Sequence, residues 1–166
     1  GLFPSFSAAW RLSEEAFMDR TRDVITEAKI RASYGTLGNQ NIGSNYPTAQ
    51  MLTISSISAA NKIYPIVAQT SLANKDITWE TQGNFNVGVD FELFNGRLGG
   101  TIEYFNRMTY DMLYSFSLPA TYGYTSYTDN IGDMRNRGVE VELRTTPIKT
   151  KDFEWNINLN LTSYKN

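Results

Sequence analysis

The chain has 166 residues, and Lys+Arg 15 against Asp+Glu 17 leaves a formal net charge of -2, so there is no basic stripe to hold nucleic acid. With Cys 0 and His 0 it has no Ser-His-Asp or Cys-His pair, no thiolate zinc site and no imidazole titrating near neutral pH. No stretch approaches the ~18 consecutive apolar residues of a membrane helix, which excludes a helical membrane protein but not a barrel, whose strands turn every second residue to water.

The chain opens at Gly1 with neither an initiator Met nor a charged-plus-apolar leader, and reads as an excised piece. Pro4, Phe6, Ala8, Trp10 and Leu12 then alternate with Ser5, Ser7, Ala9 and Arg11, the period-two pattern that puts one side-chain class on each face of a strand. A medium connection, Ser13 to Asp23, leads to a second run in which Ala28, Ile30, Ala32 and Tyr34 alternate with Lys29, Arg31 and Ser33. A long connection from about Thr36 to Asp76 follows, with Gly35, Gly38, Gly43, Pro47 and Pro65 among turn-forming Asn, Ser and Thr. Its middle, Met51 to Ala68, is richer in Ile, Ala and Ser, as short structure within a loop would be.

The strongest run spans Trp79 to Leu93. Trp79, Thr81, Phe85, Val87, Val89, Phe91 and Leu93 share one face, and Glu80, Gln82, Asn84, Asn86, Asp90 and Glu92 share the other. Soluble strands average about five or six residues, whereas roughly fifteen at ~3.3 Å rise give ~50 Å of strand, enough to cross the ~25 Å apolar band of an outer-membrane barrel even when tilted. Phe94-Asn95-Gly96-Arg97 follows, and Asn-Gly between alternating runs signals a type I′ hairpin. The next run places Leu98, Gly100, Ile102, Tyr104, Met108, Tyr110, Met112 and Tyr114 on one parity, opposite Thr101, Glu103, Arg107, Thr109 and Asp111. If Phe94 faces Arg97, Val89 meets Ile102, Val87 meets Tyr104 and Asn84 meets Arg107, so the apolar faces coincide; a three-residue loop would flip them.

A second long connection, Ser115 to Asn130, precedes a run in which Val139, Val141 and Leu143 alternate with Gly138, Glu140, Glu142 and Arg144. A short connection around Pro147 to Asp152 leads to Phe153, Trp155, Ile157, Leu159 and Leu161, alternating with Glu154, Asn156, Asn158, Asn160 and Thr162. The reading is all-β and antiparallel, with about six strands. Connections alternate medium, long, short, long, short. Outer-membrane barrels have short periplasmic turns and long extracellular loops, which puts both long connections outside. On that topology Trp10, Phe91, Phe94, Phe153 and Trp155 fall near the periplasmic ends and Trp79, Tyr110 and Tyr114 near the outer ends, as aromatic girdles do.

No motif names a reaction. Glu140 and Glu142 share a face as glycosidase carboxylates could, but read more simply as lumen charges matched by Arg144, Arg107 or Arg137. Asp129, Asn130 and Asp133 offer oxygen ligands for Ca²⁺ without the rest of a known loop, so turn formation is the preferred reading. Asn160-Leu161-Thr162 is a sequon inside a strand, and Gly35 to Gly43 lacks the Lys-Ser/Thr of a phosphate loop. Neither a cofactor nor an enzymatic activity is expected.

Lys29 to Asn39 (KIRASYGTLGN), Ile77 to Glu80 (ITWE), Asn86 to Leu98 (NVGVDFELFNGRL), Ile102 to Asn106 (IEYFN), Asn130 to Glu140 (NIGDMRNRGVE) and Phe153 to Asn156 (FEWN) occur in a specific order and spacing. Together they resemble the SusC/RagA family of TonB-dependent outer-membrane transporters, over nearly the whole chain. Lys75 departs from the pattern, standing after Asn74 where such proteins commonly have Pro. The resemblance implies a bacterial outer-membrane barrel of about 22 strands around an N-terminal plug. It also implies a SusD-like surface lipoprotein lid, oligosaccharide or peptide cargo, and energy from TonB through an N-terminal segment not recognisable here. Residues 1–166 would be barrel wall without plug, in contact with the lipid bilayer. Lumen-facing residues would be Arg31, Asn84, Glu103, Arg107 and Asp111; lid or cargo contacts would be Asn39, Asn41, Tyr46, Tyr122, Tyr124 and Tyr127. Two rivals stay open: a passive porin, and a soluble β-sandwich that binds carbohydrate through its loops, whose apolar face would be covered by a second sheet.

Overall fold

The computed structural model describes residues 1–39, 41, 48–49, 52–59, 61–69, 72–124 and 126–166. The described residues form ten strands: β1 (Ser5–Arg11), β2 (Ile25–Asn39), β3 (Leu52–Ala59), β4 (Lys62–Gln69), β5 (Glu80–Leu93), β6 (Leu98–Tyr110), β7 (Leu113–Ser117), β8 (Ser126–Asn130), β9 (Met134–Lys149) and β10 (Glu154–Lys165). Short 3-10 turns cover Leu12–Glu14, Ala16–Thr21 and Ala120–Tyr122, and no α-helix occurs among the described residues. One sheet has six strands in the order β1-β2-β5-β6-β9-β10, while β3-β4 and β7-β8 form separate two-stranded ribbons. The chain divides into two compact units. Residues 1–37, 82–109 and 134–166 form the first, which holds most of the six-stranded sheet; residues 38–81 and 110–133 form the second, which holds the two ribbons.

The six alternating runs correspond to the six strands of the sheet, and the short link between β5 and β6 is the hairpin expected of Asn-Gly. Asn95 and Gly96 have φ of 54° and 86°, as a type I′ turn requires, and the Arg97 amide donates to the Phe94 carbonyl at 3.4 Å. Phe94 is also left-handed, with φ 54°, a costly conformation for a bulky residue. It is pinned there by its own amide, which donates to the Val24 carbonyl at 2.8 Å, and by the Asn95 amide, which donates to Thr26 Oγ1 at 3.0 Å. The Thr101 hydroxyl donates to Asp90 at 3.0 Å and Gly100 lies against the Phe91 ring, contacts that fit the register in which Val89 opposes Ile102.

Pro147 does not lie in a turn, contrary to the expectation. It sits inside β9, where the register with β10 shifts between Trp155 and Ile157: Trp155 opposes Ile148, whereas Ile157 opposes Thr145. A bulge is where a strand tolerates proline, since the ladder needs no amide there. The bulge also flips the parity of the strand end, so the even-numbered Ile148 joins the face of Trp155. The turn proper is Thr150 to Phe153, closed by the Thr150 amide donating to the Phe153 carbonyl at 2.7 Å.

Two further expectations are corrected. The run through Tyr114 is broken: β6 stops at Tyr110, because Asp111 takes φ 53°, and Met112 and Tyr114 lie beyond the strand. The connection from Ser115 to Asn130 is not plain loop, since β7 and β8 pair with Tyr114 opposite Asp129 and Phe116 opposite Tyr127. The structure suspected around Met51 to Ala68 is the β3-β4 ribbon, in which Ile54 opposes Val67 and Ile57 opposes Tyr64.

The apolar face of the sheet is uncovered. Ile102, Leu159 and Leu161 are 46%, 47% and 56% exposed, Val87 and Phe91 are only half-buried, and among the described residues Phe105 at 7% is the one buried hydrophobic side chain. A sandwich would have covered these residues with a second sheet. Phe105 itself lies on the polar parity, opposite Gly138, where its ring fills the space a side chain would need, and the Arg107 guanidinium sits 5.2 Å from the ring centroid.

Candidate functional site

The polar face of the sheet carries an ion-paired row across β2, β5 and β6. Alternation from Ile25 puts Lys29 and Arg31 on one face of β2; the same rule gives Gly88 and Asp90 on β5, and Thr101 and Glu103 on β6. Arg31 lies over Gly88, whose missing Cβ would come within 3.3 Å of the guanidinium carbon. From there it reaches two carboxylates, Asp90 at 3.3 Å and Glu103 at 2.5 Å. Asp90 also takes Lys29 at 3.5 Å and the Thr101 hydroxyl at 3.0 Å. Glu103 stands directly opposite Glu140, and like charges so placed repel; the contact with Arg31 offsets this. Glu142 pairs instead with Arg144 at 3.6 Å on its own strand.

Removing the central cation tests this arrangement. Arg31→Met is expected to destabilise the folded barrel by roughly 1–2 kcal/mol, because it strips a charged hydrogen bond from Glu103 in a half-exposed setting. Urea unfolding in lipid vesicles would read it, and Glu140→Gln in the same background should recover part of the loss. No recovery would mean that the Glu103–Glu140 repulsion is negligible.

Of the residues expected on the lumen side, Arg31 and Glu103 are brought into direct contact and Arg107 stacks on Phe105. Asn84 lies half-buried on the polar parity of β5. Asp111 lies past the end of β6, where its amide donates to Asp133 Oδ1 at 3.3 Å.

The second unit is organised by two asparagines that the period-two reading did not single out. Asn74, 7% exposed, donates to the Thr128 carbonyl at 3.1 Å and to Asp129 Oδ1 at 2.8 Å, and its own Oδ1 accepts from the Asp76 amide at 3.0 Å. That last bond is an Asx turn, so the turn closes with Lys75, and not proline, after Asn74. Asn130 accepts from the Thr78 amide at 2.8 Å and donates to the carbonyls of Thr78 at 3.0 Å and Asp111 at 2.6 Å. The two long connections are thereby tied to each other. Asp129, Asn130 and Asp133 spend these oxygens on backbone and side-chain donors, the turn-forming role preferred over calcium. Asn130→Ala should raise amide exchange about tenfold at Thr78 and through β8, the effect of losing hydrogen bonds worth ~1–2 kcal/mol in all. Exchange unchanged at Thr78 would show that the tie carries no stability.

The candidate contact residues lie on these connections. Asn39 ends β2 and its Oδ1 accepts from the Asn41 amide at 3.0 Å. Tyr122 is exposed in a 3-10 turn, Tyr124 is half-buried just after it, and Tyr127 pairs with Phe116 in the β7-β8 ribbon. Tyr46 lies outside the described residues.

A single-layered antiparallel sheet, with exposed hydrophobic residues on one face and ion pairs on the other, is the wall of a membrane barrel. The family model described as "TonB dependent receptor-like, beta-barrel" matches residues 1–166, and the chain belongs to that family, one of outer-membrane receptors and transporters and not of enzymes. It is 36% identical over 169 residues to TonB-dependent receptor P26 of Formosa agariphila, covering 99% of this chain and 16% of that protein. It is 32% identical over 166 residues to TonB-dependent receptor SusC of Bacteroides thetaiotaomicron, covering 98% of this chain and 16% of SusC. The chain thus spans about a sixth of the length of these curated relatives. Among solved structures, the RagAB peptide importer in its closed-closed state superposes with a TM-score of 0.85 at 26% identity, covering 98% of this chain and 17% of that one.

Proposed function

We propose that residues 1–166 form part of the barrel wall, without plug, of a TonB-dependent transporter in a bacterial outer membrane. It imports glycan or peptide nutrients with a SusD-like surface lipoprotein as its lid. The observation that carries this reading is the exposed apolar face of the sheet, backed by a polar face that carries an ion-paired row of Lys29, Arg31, Asp90 and Glu103. Edge strands β1 and β10 pair with further strands of the same barrel, because open edges in hydrocarbon leave backbone groups unsatisfied at several kcal/mol each. The polar row around Arg31 and Glu103 lines the interior. Asn39, Asn41, Tyr46, Tyr122, Tyr124 and Tyr127 meet cargo or lid on the outer side, and TonB supplies energy from outside this segment.

This chain has Cys 0, so a cysteine introduced into it is labelled uniquely once any cysteine elsewhere in the full-length protein is replaced. In the full-length protein, a fluorophore at Leu161→Cys is expected to respond to a lipid-resident quencher and one at Asn160→Cys to a water-soluble quencher. Equal access of both sites to water would sink the membrane-wall reading. Uptake of labelled oligosaccharides and peptides by cells with and without an active TonB system then separates an energised transporter from a passive porin, and one cargo class from the other.

A further inference from the structure

The apolar face of the six-stranded sheet carries its charges in one place and of one sign. Among the described residues of these strands, the charged ones on the apolar parity are Arg135 and Arg137 on β9 and Lys165 on β10. Every strand carboxylate of the first unit falls on the opposite parity, as Glu27, Asp90, Glu92, Glu103, Glu140, Glu142 and Glu154 do. The three cations are neighbours: Arg137 stands opposite Lys165 on one side and Asn106 on the other, while Arg135, opposite Met108, donates through Nε to Asn106 Oδ1 at 2.8 Å. Both arginines and the lysine are exposed, and among the described residues none of the three forms an ion pair.

Their height on the wall is fixed by the residues beside them. Val139, Val141 and Leu143 follow Arg137 on the same parity and Ile148 rejoins it after the bulge. From Val139 to Ile148 a tilted strand rises roughly 23 Å, close to the ~25 Å apolar band of such barrels. Arg137, Arg135 and Lys165 therefore sit at the rim of the hydrocarbon, on the side of the long connections, where a charge escapes the cost of the bilayer centre. Among the described residues no carboxylate lies on this face, and three cations so grouped repel one another unless an anion lies among them. Guanidinium groups bind phosphate oxygens in bidentate fashion.

We propose that Arg135, Arg137 and Lys165, with Asn106 orienting Arg135, form a docking site for the phosphate headgroup of an anionic lipid in the leaflet facing the long connections. The inference rests on the membrane-wall reading above. It adds a specific lipid contact to what that reading assigns to the outer surface.

The test uses the full-length protein in detergent, with diphosphoryl lipid A and its phosphate-free counterpart as probes and native mass spectrometry as the readout. Wild type is expected to retain the diphosphoryl lipid preferentially, with the preference falling as salt rises. Each of Arg135→Gln, Arg137→Gln and Lys165→Gln should weaken retention about fivefold. A control carrying Arg107→Gln and Arg144→Gln, which removes cations from the polar face, should keep the preference. Equal retention of both lipids by wild type, or loss of preference in the control as large as in the rim variants, overturns the proposal. If one of the single variants fails to assemble, the remaining ones and the salt dependence of wild type decide. Heat-modifiable folding of the wild type in membranes tests the wall reading separately: a protein that inserts but shows no phosphate preference refutes the lipid site alone.

Discussion

Ile102→Arg should cost the folded protein about 2–4 kcal/mol, the largest single-residue effect expected on this wall. Ile102 lies mid-strand on the apolar face, opposite Val141, and is 46% exposed with no protein neighbour to cover it. In a membrane that exposure is contact with lipid tails, and an arginine there must either enter hydrocarbon or bend toward a headgroup several residues away. The comparison that isolates this physics is Asn160→Arg, on the polar parity of β10 opposite Glu142, where a new cation meets water and a carboxylate. Its effect should stay within about 0.5 kcal/mol. Guanidinium unfolding of both variants in lipid vesicles would give the two numbers. Similar costs at the two positions would mean that the faces are not oil and water, and the membrane assignment would fall.

Gly138→Val should be the most damaging change on the polar face. A Cβ at this position would collide with the Ser163 carbonyl of the neighbouring strand, and would lie 2.8 Å from both the Phe105 ring and the Tyr164 Cβ. The ring can rotate away but the carbonyl belongs to the β9-β10 ladder, so the two strands must part. Overpacking of this kind costs roughly 1–3 kcal/mol, and here it also opens a hydrogen-bonded pair. The expected result is a lower yield of assembled, heat-modifiable barrel and a lower unfolding midpoint. Adding Phe105→Ala should recover only a minor part, because it leaves the carbonyl clash in place. Full recovery by Phe105→Ala would show that the ring, and not the strand spacing, makes glycine necessary.

Much of the sheet was legible because a barrel wall has the simplest sequence rule in structural biology, one class of side chain per parity. The run from Trp79 to Leu93 and the turn at Asn95-Gly96 obey it with little interruption, so strand and register followed together. The rule fails where a strand leaves hydrocarbon. The alternating pattern begins at Gly138, four residues after β9 starts, because Arg135 and Arg137 occupy positions that alternation reserves for apolar side chains. The β7-β8 ribbon escaped for a related reason: Ser126 to Asn130 has Tyr127 as its one aromatic among Ser, Thr, Asp and Asn, and so shows no alternation. Asn74 and Asn130 leave no periodic trace, since each acts through its side-chain amide on backbone far away in sequence. In the candidate site, parity gave the faces of Arg31 and Glu103, but nothing in their spacing of seventy-odd residues announced that they touch.

The extra residue at Thr146-Pro147 works as a phase corrector for the ribbon. Upstream of it odd positions are greasy and downstream even ones are. Were the ladder to run straight through this point at the same chain length, Ile148 would turn to the aqueous side and Lys149 to the lipid, away from Glu154, its ion-pair partner at 3.6 Å. Deleting one residue at Thr146-Pro147 instead removes the bulge and leaves Ile148 opposite Trp155, so it is a far milder lesion than the same deletion in mid-strand, which throws one part of β9 out of phase with the rest.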